Sequence, residues 1–241
     1  MESGTLRTGT RGERPVTTSP LDNPVLSSLE GPQRRFAQRH GSAWRYDPEV
    51  SVFAAIPDEP DESSWRDLRA LAGDEMVILF RDEVRTPNDW ADVFAGVARQ
   101  YTGDDVPGQL FDRALRLAAR DVPEMLDLVA RTEPGPFRAR TIELGHYVGV
   151  RDEGRLVAMA GQRFHPDGHR EISAVCSDPN YRGQGLASAL VRHLIATTTA
   201  EGERSFLHVA STNTSAISLY ESLGFNFRRN IAVVGLQPKS P

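Results

Sequence analysis

The run Tyr181-Arg182-Gly183-Gln184-Gly185-Leu186-Ala187-Ser188 decides how the rest of the chain is read. It follows the apolar stretch Glu171-Ile172-Ser173-Ala174-Val175-Cys176-Ser177 and a short Asp178-Pro179-Asn180 loop. After it, Leu186, Leu190, Leu194 and Ala187, Val191, Ile195 recur at helical spacing. The order predicted is strand, glycine-rich turn, amphipathic helix, with the helix running to about Thr199. The first amides of a helix lack intrahelical partners and carry partial positive charge, so an anion can satisfy them. Gly183 and Gly185 remove Cβ atoms where a ligand must approach the backbone, and Ala187 and Ser188 stay small. The glycines alone admit a dinucleotide-binding turn, a triphosphate-binding loop or a plain tight turn. The first wants a third glycine or alanine where Ser188 stands, and the second a Lys-Ser/Thr pair that is absent here.

Upstream, Tyr147–Val150 and Arg155–Phe164 read as two strands joined by Asp152-Glu153-Gly154. Asp121-Val122-Pro123-Glu124 starts a helix, and Ala114–Ala118 reads as a strand before it. Downstream come a strand at Phe206–Val209, a helix at Thr214–Leu223 and one or two closing strands from Phe225. The fold class expected is α/β (α+β): a mixed, mostly antiparallel sheet flanked by helices. A smaller α/β region precedes it. There Val50–Ile56 and Met76–Phe80 read as strands, Asp61–Ala72 as a helix stopped by Gly73, and Asn88–Tyr101 as a further helix. The boundaries expected are a disordered polar tail at 1–20, an N-terminal region at 21–108 and the main domain at 109–241.

Acidic residues outnumber basic ones, 33 to 28, for a formal charge of −5, which gives no general attraction to nucleic acid or an anionic membrane. The single cysteine, Cys176, cannot form an internal disulfide, and no metal-ligand cluster is evident. No apolar run approaches the roughly 20 residues of a membrane span. A cytoplasmic protein with neither a metal nor a nucleic-acid or membrane partner is the expectation.

The stretch Arg182-Gly183-Gln184-Gly185-Leu186-Ala187 matches Gln/Arg-x-x-Gly-x-Gly/Ala, and so resembles the GNAT superfamily of N-acetyltransferases. Asn213-Thr214-Ser215-Ala216-Ile217-Ser218-Leu219-Tyr220-Glu221-Ser222-Leu223-Gly224-Phe225 resembles that family's second CoA-side motif. The resemblance spans about 113–236 and looks nearest to the glycine N-acyltransferase-like branch, whose first half can be a worn copy of the catalytic fold. It implies an acetyl-CoA-dependent N-acetyltransferase that acylates a primary amine on a small molecule, amino acid or peptide by direct attack in a ternary complex. A non-catalytic acyl-CoA sensor is the alternative, and a homodimer stays open. The implied cofactor-binding residues are Val175, Cys176, Ser177, Arg182, Gly183, Gln184, Gly185, Leu186, Ala187, Ser188 and Asn213. The strand before the turn is expected to splay from its neighbour and pair with pantetheine. Tyr220 is the candidate general acid. Glu171 is the candidate general base, on one strand face with Ser173, Val175 and Ser177 and opposite Cys176. Asn213 suits a helix cap as well. His208 reads as a satisfied core histidine, and Trp44, Arg45, Tyr46, Trp65 and Trp90 as possible walls of an acceptor pocket.

Overall fold

A computed structural model describes residues 19–239. The tail expected at 1–20 therefore lies, up to residue 18, outside the described residues. The elements run α1 (Pro24–Glu30), β1 (Ala37–His40), β2 (Ala43–Tyr46), β3 (Phe53–Ala55), α2 (Glu62–Ala72), β4 (Val77–Arg81) and β5 (Trp90–Thr102). They continue β6 (Leu115–Arg116), α3 (Val122–Thr132), β7 (Tyr147–Asp152), β8 (Arg155–Gln162) and β9 (His169–Ser177). The last are α4 (Leu186–Ala200), β10 (Arg204–Ala210), α5 (Thr214–Leu223) and β11 (Asn226–Pro238).

Among the described residues all the strands join one eleven-stranded sheet in the order β1-β2-β3-β4-β11-β5-β10-β9-β8-β7-β6. Among the described residues only β3/β4 and β9/β10 pair in parallel, each across a helical crossover, α2 in one case and α4 in the other. The sheet is thus mixed and mostly antiparallel, as expected.

The chain order repeats. The run α1-β1-β2-β3-α2-β4-β5 is matched by α3-β7-β8-β9-α4-β10-β11, with α5 added to the second copy. The final strand of each copy is exchanged: β11 pairs with β4, and β5 pairs with β10. The two exchanged strands also pair with each other, from Asn226↔Thr102 to Pro238↔Trp90. The sheet therefore runs unbroken past the loop at 103–108 where a boundary was expected.

The helix expected at 88–101 is strand β5. Trp90, Val93, Phe94, Val97 and Tyr101 have helical spacing, but the stripe is not buried: Val93, Phe94 and Val97 are exposed. Paired backbone on β11 and β10 outweighs that spacing, and the β-branched and aromatic content favours it.

Leu207 and Ile172 pack toward α4 with Leu190, Val191 and Leu194. Phe206 packs on the opposite face with Phe53, Phe80 and Phe164 from both halves. Trp44 and Tyr46 belong to that second cluster, and Trp65 packs on Trp90 at 6.0 Å in a third. These aromatics pack in the core clusters and are not among the residues that line the cleft described below.

Candidate active site

β9 and β10 are hydrogen-bonded only from His169–Ile172 against Arg204–Leu207. Beyond Ile172 they part. Two features drive this. Ala174 sits at φ +52°, and β9 carries one extra residue between its pairings Ser173↔Gly161 and Cys176↔Met159. Such a bulge bends the strand away from its neighbour. The gap opens into a cleft of about 970 Å³, lined by the free part of β9, the start of α4, the end of β10 and α5.

The bulge also resets alternation. Val175 packs with Ile172 toward α4, whereas Cys176 packs with Met125, Tyr147 and Met159 on the other side. Glu171 lies one residue from Ile172 and so faces that other side too. The expected grouping of Glu171 with Val175 and Ser177, against Cys176, is therefore reversed.

Gly183 and Gly185 hold φ of +77° and +74°, and a Cβ on either would meet no protein atom within 4 Å. Glycine is required there by the left-handed backbone, whatever else approaches. Gly185 is the N-cap of α4; among the described residues no side chain caps that helix, and no acidic residue stands in its first turn. Its first amides therefore face the cleft unspent. The matching helix of the first half differs: Asp61 accepts from the Ser64 amide at 2.8 Å and closes a capping box. A carboxylate already occupies the place an anion would take on α2.

The loop leading into the cradle is anchored by side-chain contacts that the sequence does not show. Asp178 accepts from the Asn180 amide at 3.0 Å and pairs with Arg155 at 3.0 Å and with Arg131. Tyr181 donates to Asp152 at 2.7 Å. Among the expected residues, Val175, Cys176, Ser177, Arg182, Gly183, Gly185, Leu186, Ala187, Ser188, Asn213 and Tyr220 all line the cleft. Gln184 and Glu171 do not. Asn213 caps α5, its Oδ1 accepting from the Ala216 amide at 3.0 Å.

Tyr220 is buried, its ring set against Phe225 at 5.7 Å. Burial pushes its phenol above the usual range, and the nearby Cys176 and Glu171 push the same way. The group is thus fully protonated at neutral pH. Burial likewise raises the Cys176 thiol to about 11, so it is no ready nucleophile.

Glu171 is fully buried. Its two oxygens accept from Arg163 Nε at 2.8 Å and Nη2 at 2.7 Å, and Oε1 also lies 2.7 Å from His208 Nδ1. Burial alone would raise this carboxyl. The Arg163 charge and hydrogen bonds, with His208, overcome it and hold Glu171 at about 2. A carboxylate so held is a weak proton acceptor, so the geometry argues against the role of general base expected for it. His208 is satisfied on both sides, by Glu171 and by Gln100 at 2.9 Å. Burial lowers its pKa although Glu171 pulls it up, which keeps the ring neutral. Gln100 also accepts from Arg228 at 2.6 Å, and Arg228 meets Asp22 at 2.5 Å. This polar chain joins the two halves through the core. Among the described residues no cluster of His, Cys, Asp or Glu is placed to hold a metal, and no helix is long and apolar enough to cross a membrane.

A splayed parallel pair beside an uncapped helix start is the arrangement that the resemblance to the N-acetyltransferases implies. The acetyltransferase (GNAT) family model matches residues 113–225. The chain is 38% identical to a Novosphingobium aromaticivorans protein assigned to the GNAT acetyltransferases, with a TM-score of 0.86 over 92% of this chain and 100% of that one. It is 47% identical to the Escherichia coli [ribosomal protein bS18]-alanine N-acetyltransferase over 123 residues, 47% of this chain and 82% of the relative. It is 37% identical over 100 residues to the N-alpha-acetyltransferase RimI of Mycobacterium tuberculosis, 39% of this chain and 62% of that one. The chain belongs to the GNAT acetyltransferase family, enzymes that move an acetyl group from acetyl-CoA to an amine. The glycine N-acyltransferase-like branch expected from the sequence finds no support in these relatives.

Proposed function

We propose that the second half of the chain is the catalytic unit of a RimI-like N-acetyltransferase acting on a primary amine. The uncapped N-terminus of α4, set against the free part of β9, carries this reading. The amides after Gly183 and Gly185 bind the pyrophosphate of acetyl-CoA, with Arg182 and Ser188 beside them. The unpaired β9 backbone from Ser173 to Ser177 binds the pantetheine arm, and Asn213 closes the far wall while capping α5. Acetyl-CoA supplies the activated acetyl thioester.

The chain's residues then place an amine against that thioester. As the C–N bond forms and the C–S bond breaks, Tyr220 gives its proton to the departing sulfur. The proton shed by the nitrogen returns, through water, to the Tyr220 oxygen, so the enzyme ends unchanged. Glu171 takes no proton in this scheme. It holds Arg163 and His208 in place.

The test is release of free CoA thiol by the full chain with acetyl-CoA and a panel of primary amines. Amine-dependent release supports transfer. Tight acetyl-CoA binding without release from any amine would favour the sensor instead.

A further inference from the structure

One carboxylate on the cleft has no cation to answer it. Glu133 is the single aspartate or glutamate among the residues that line the cleft. It ends α3, its amide donating to the Val129 carbonyl at 2.8 Å. Arg131, two residues before it, is held by Asp127 at 3.0 Å and by Asp178, and no ion pair reaches Glu133 among the described residues. Its backbone is left-handed, at φ +46° and ψ +52°, a helix ending that favours glycine. Glycine would relieve that strain and remove the carboxylate. α3 packs on Cys176 and Met159, on the face of the sheet away from α4, and Thr132 beside Glu133 reaches the Cys176 thiol. Glu133 therefore meets the cleft from the side opposite the pyrophosphate cradle. The cradle side takes CoA, so the side of Glu133 is left for the acceptor.

The other titratable groups on the cleft are spent or uncharged. Arg163 is bound through Nε and Nη2 to Glu171, and His208 stays neutral between Glu171 and Gln100. The Cys176 thiol and the Tyr220 phenol keep their protons at neutral pH. Tyr181 donates to Asp152, and Arg182 belongs to the cradle. Glu133 thus gives the acceptor's side a net negative charge. The reacting nitrogen does not answer that charge, because an amine attacks only as the free base. The answering cation is a separate group on the acceptor. We propose that Glu133 pairs with a second cationic group on the acceptor, so that aliphatic diamines are preferred over amines of the same length with a neutral or an anionic far end. This rests on the acetyl-transfer reading and names an acceptor class for that same site.

Three four-carbon acceptors test it with the full chain and acetyl-CoA at low ionic strength: 1,4-diaminobutane, butylamine and 4-aminobutyrate. Their far ends are cationic, neutral and anionic. Each kcat/KM is taken per primary amine and referred to its free-base concentration, since the amines differ in pKa. The diamine should lead and the amino acid trail, by about three-fold or more at each step. Glu133→Gln should bring all three within about two-fold while leaving the KM for acetyl-CoA unchanged, and Glu133→Lys should reverse the order. Glu133→Gly suits the left-handed backbone, so it should keep or raise Tm and level the series as Glu133→Gln does. It decides alone should the other variants fail to fold. Equal kcat/KM across the wild-type series, or an order that survives Glu133→Gln or Glu133→Gly, overturns the proposal and leaves the transfer reading in place. No thiol release from any of the three, with acetyl-CoA bound, also overturns it, and the wider panel of primary amines then decides the transfer reading.

Discussion

Glu171→Gln separates two roles for the same carboxylate. The substitution keeps the shape but removes the negative charge, leaving Arg163 buried beside a neutral amide. Two independent routes give the cost. Removing one member of a buried ion pair typically costs 3–5 kcal/mol. The carboxyl is held at about 2 against an ordinary 4.5, and at 1.36 kcal/mol per unit this difference corresponds to about 3 kcal/mol. Glu171 is fully buried, so solvent screening does not reduce that figure. For a chain of this size each kcal/mol moves Tm by about 2–4 °C, so a fall of roughly 6–20 °C is expected at pH 7. The pH dependence carries a sign. A carboxyl depressed in the folded state stabilises fully above its unfolded value and loses that contribution as pH falls toward the folded one. Wild type should therefore lose about 3 kcal/mol between roughly pH 4.5 and pH 2 that Glu171→Gln has already lost, so their denaturant-derived stabilities converge in acid. Stability at pH 7 within about 1 kcal/mol of wild type, together with a shifted pH profile of kcat/KM, would refute the reasoning and restore Glu171 as the base.

Tyr220→Phe should lower kcat by about 10²–10⁴ without changing the KM for acetyl-CoA, measured by thiol release. Gly185→Ala forces a side chain into a left-handed backbone, costing about 1–2 kcal/mol, and should weaken acetyl-CoA binding by calorimetry, because the strain falls on the first amides of α4. Asn213→Ala should cost about 1 kcal/mol in denaturant melts through the lost α5 cap, with a smaller effect on kcat than Tyr220→Phe.

The second half was legible because its chemistry is local. The turn at Arg182–Ser188, the α4 stripe and the Asn213 cap are each written within one element; the turn and the cap line one cleft, and the stripe packs behind the turn in the core. Two things were hidden by pairing at long range. Trp90, Val93, Phe94, Val97 and Tyr101 fit a helix until β11, more than a hundred residues later, supplies strand partners on one side and β10 on the other. The bulge at Ala174 breaks the two-residue alternation without any glycine or proline to announce it, and so moved Cys176 onto the face of Glu171. Arg163 was missed for a related reason. Its aromatic bed, Phe53 and Phe80, comes from β3 and β4, and only the assembled sheet brings Arg163 to the cleft.

The exchange of β5 and β11 also bears on how the protein is born. β4 ends at Arg81, and the strand that flanks it, β11, begins only at Asn226. At ribosomal speeds of about 5–20 residues per second, that edge waits on the order of ten seconds for its partner. During that interval Val77–Phe80, flanked by β3 on one side, leaves its other edge open to any neighbouring nascent chain. β5 meanwhile has neither β10 nor β11. Neither half can finish as a separate body, and an interrupted synthesis leaves a sticky edge instead of a smaller enzyme. Pulse-labelled ribosome-bound chains should stay protease-sensitive in the first half until β11 has emerged.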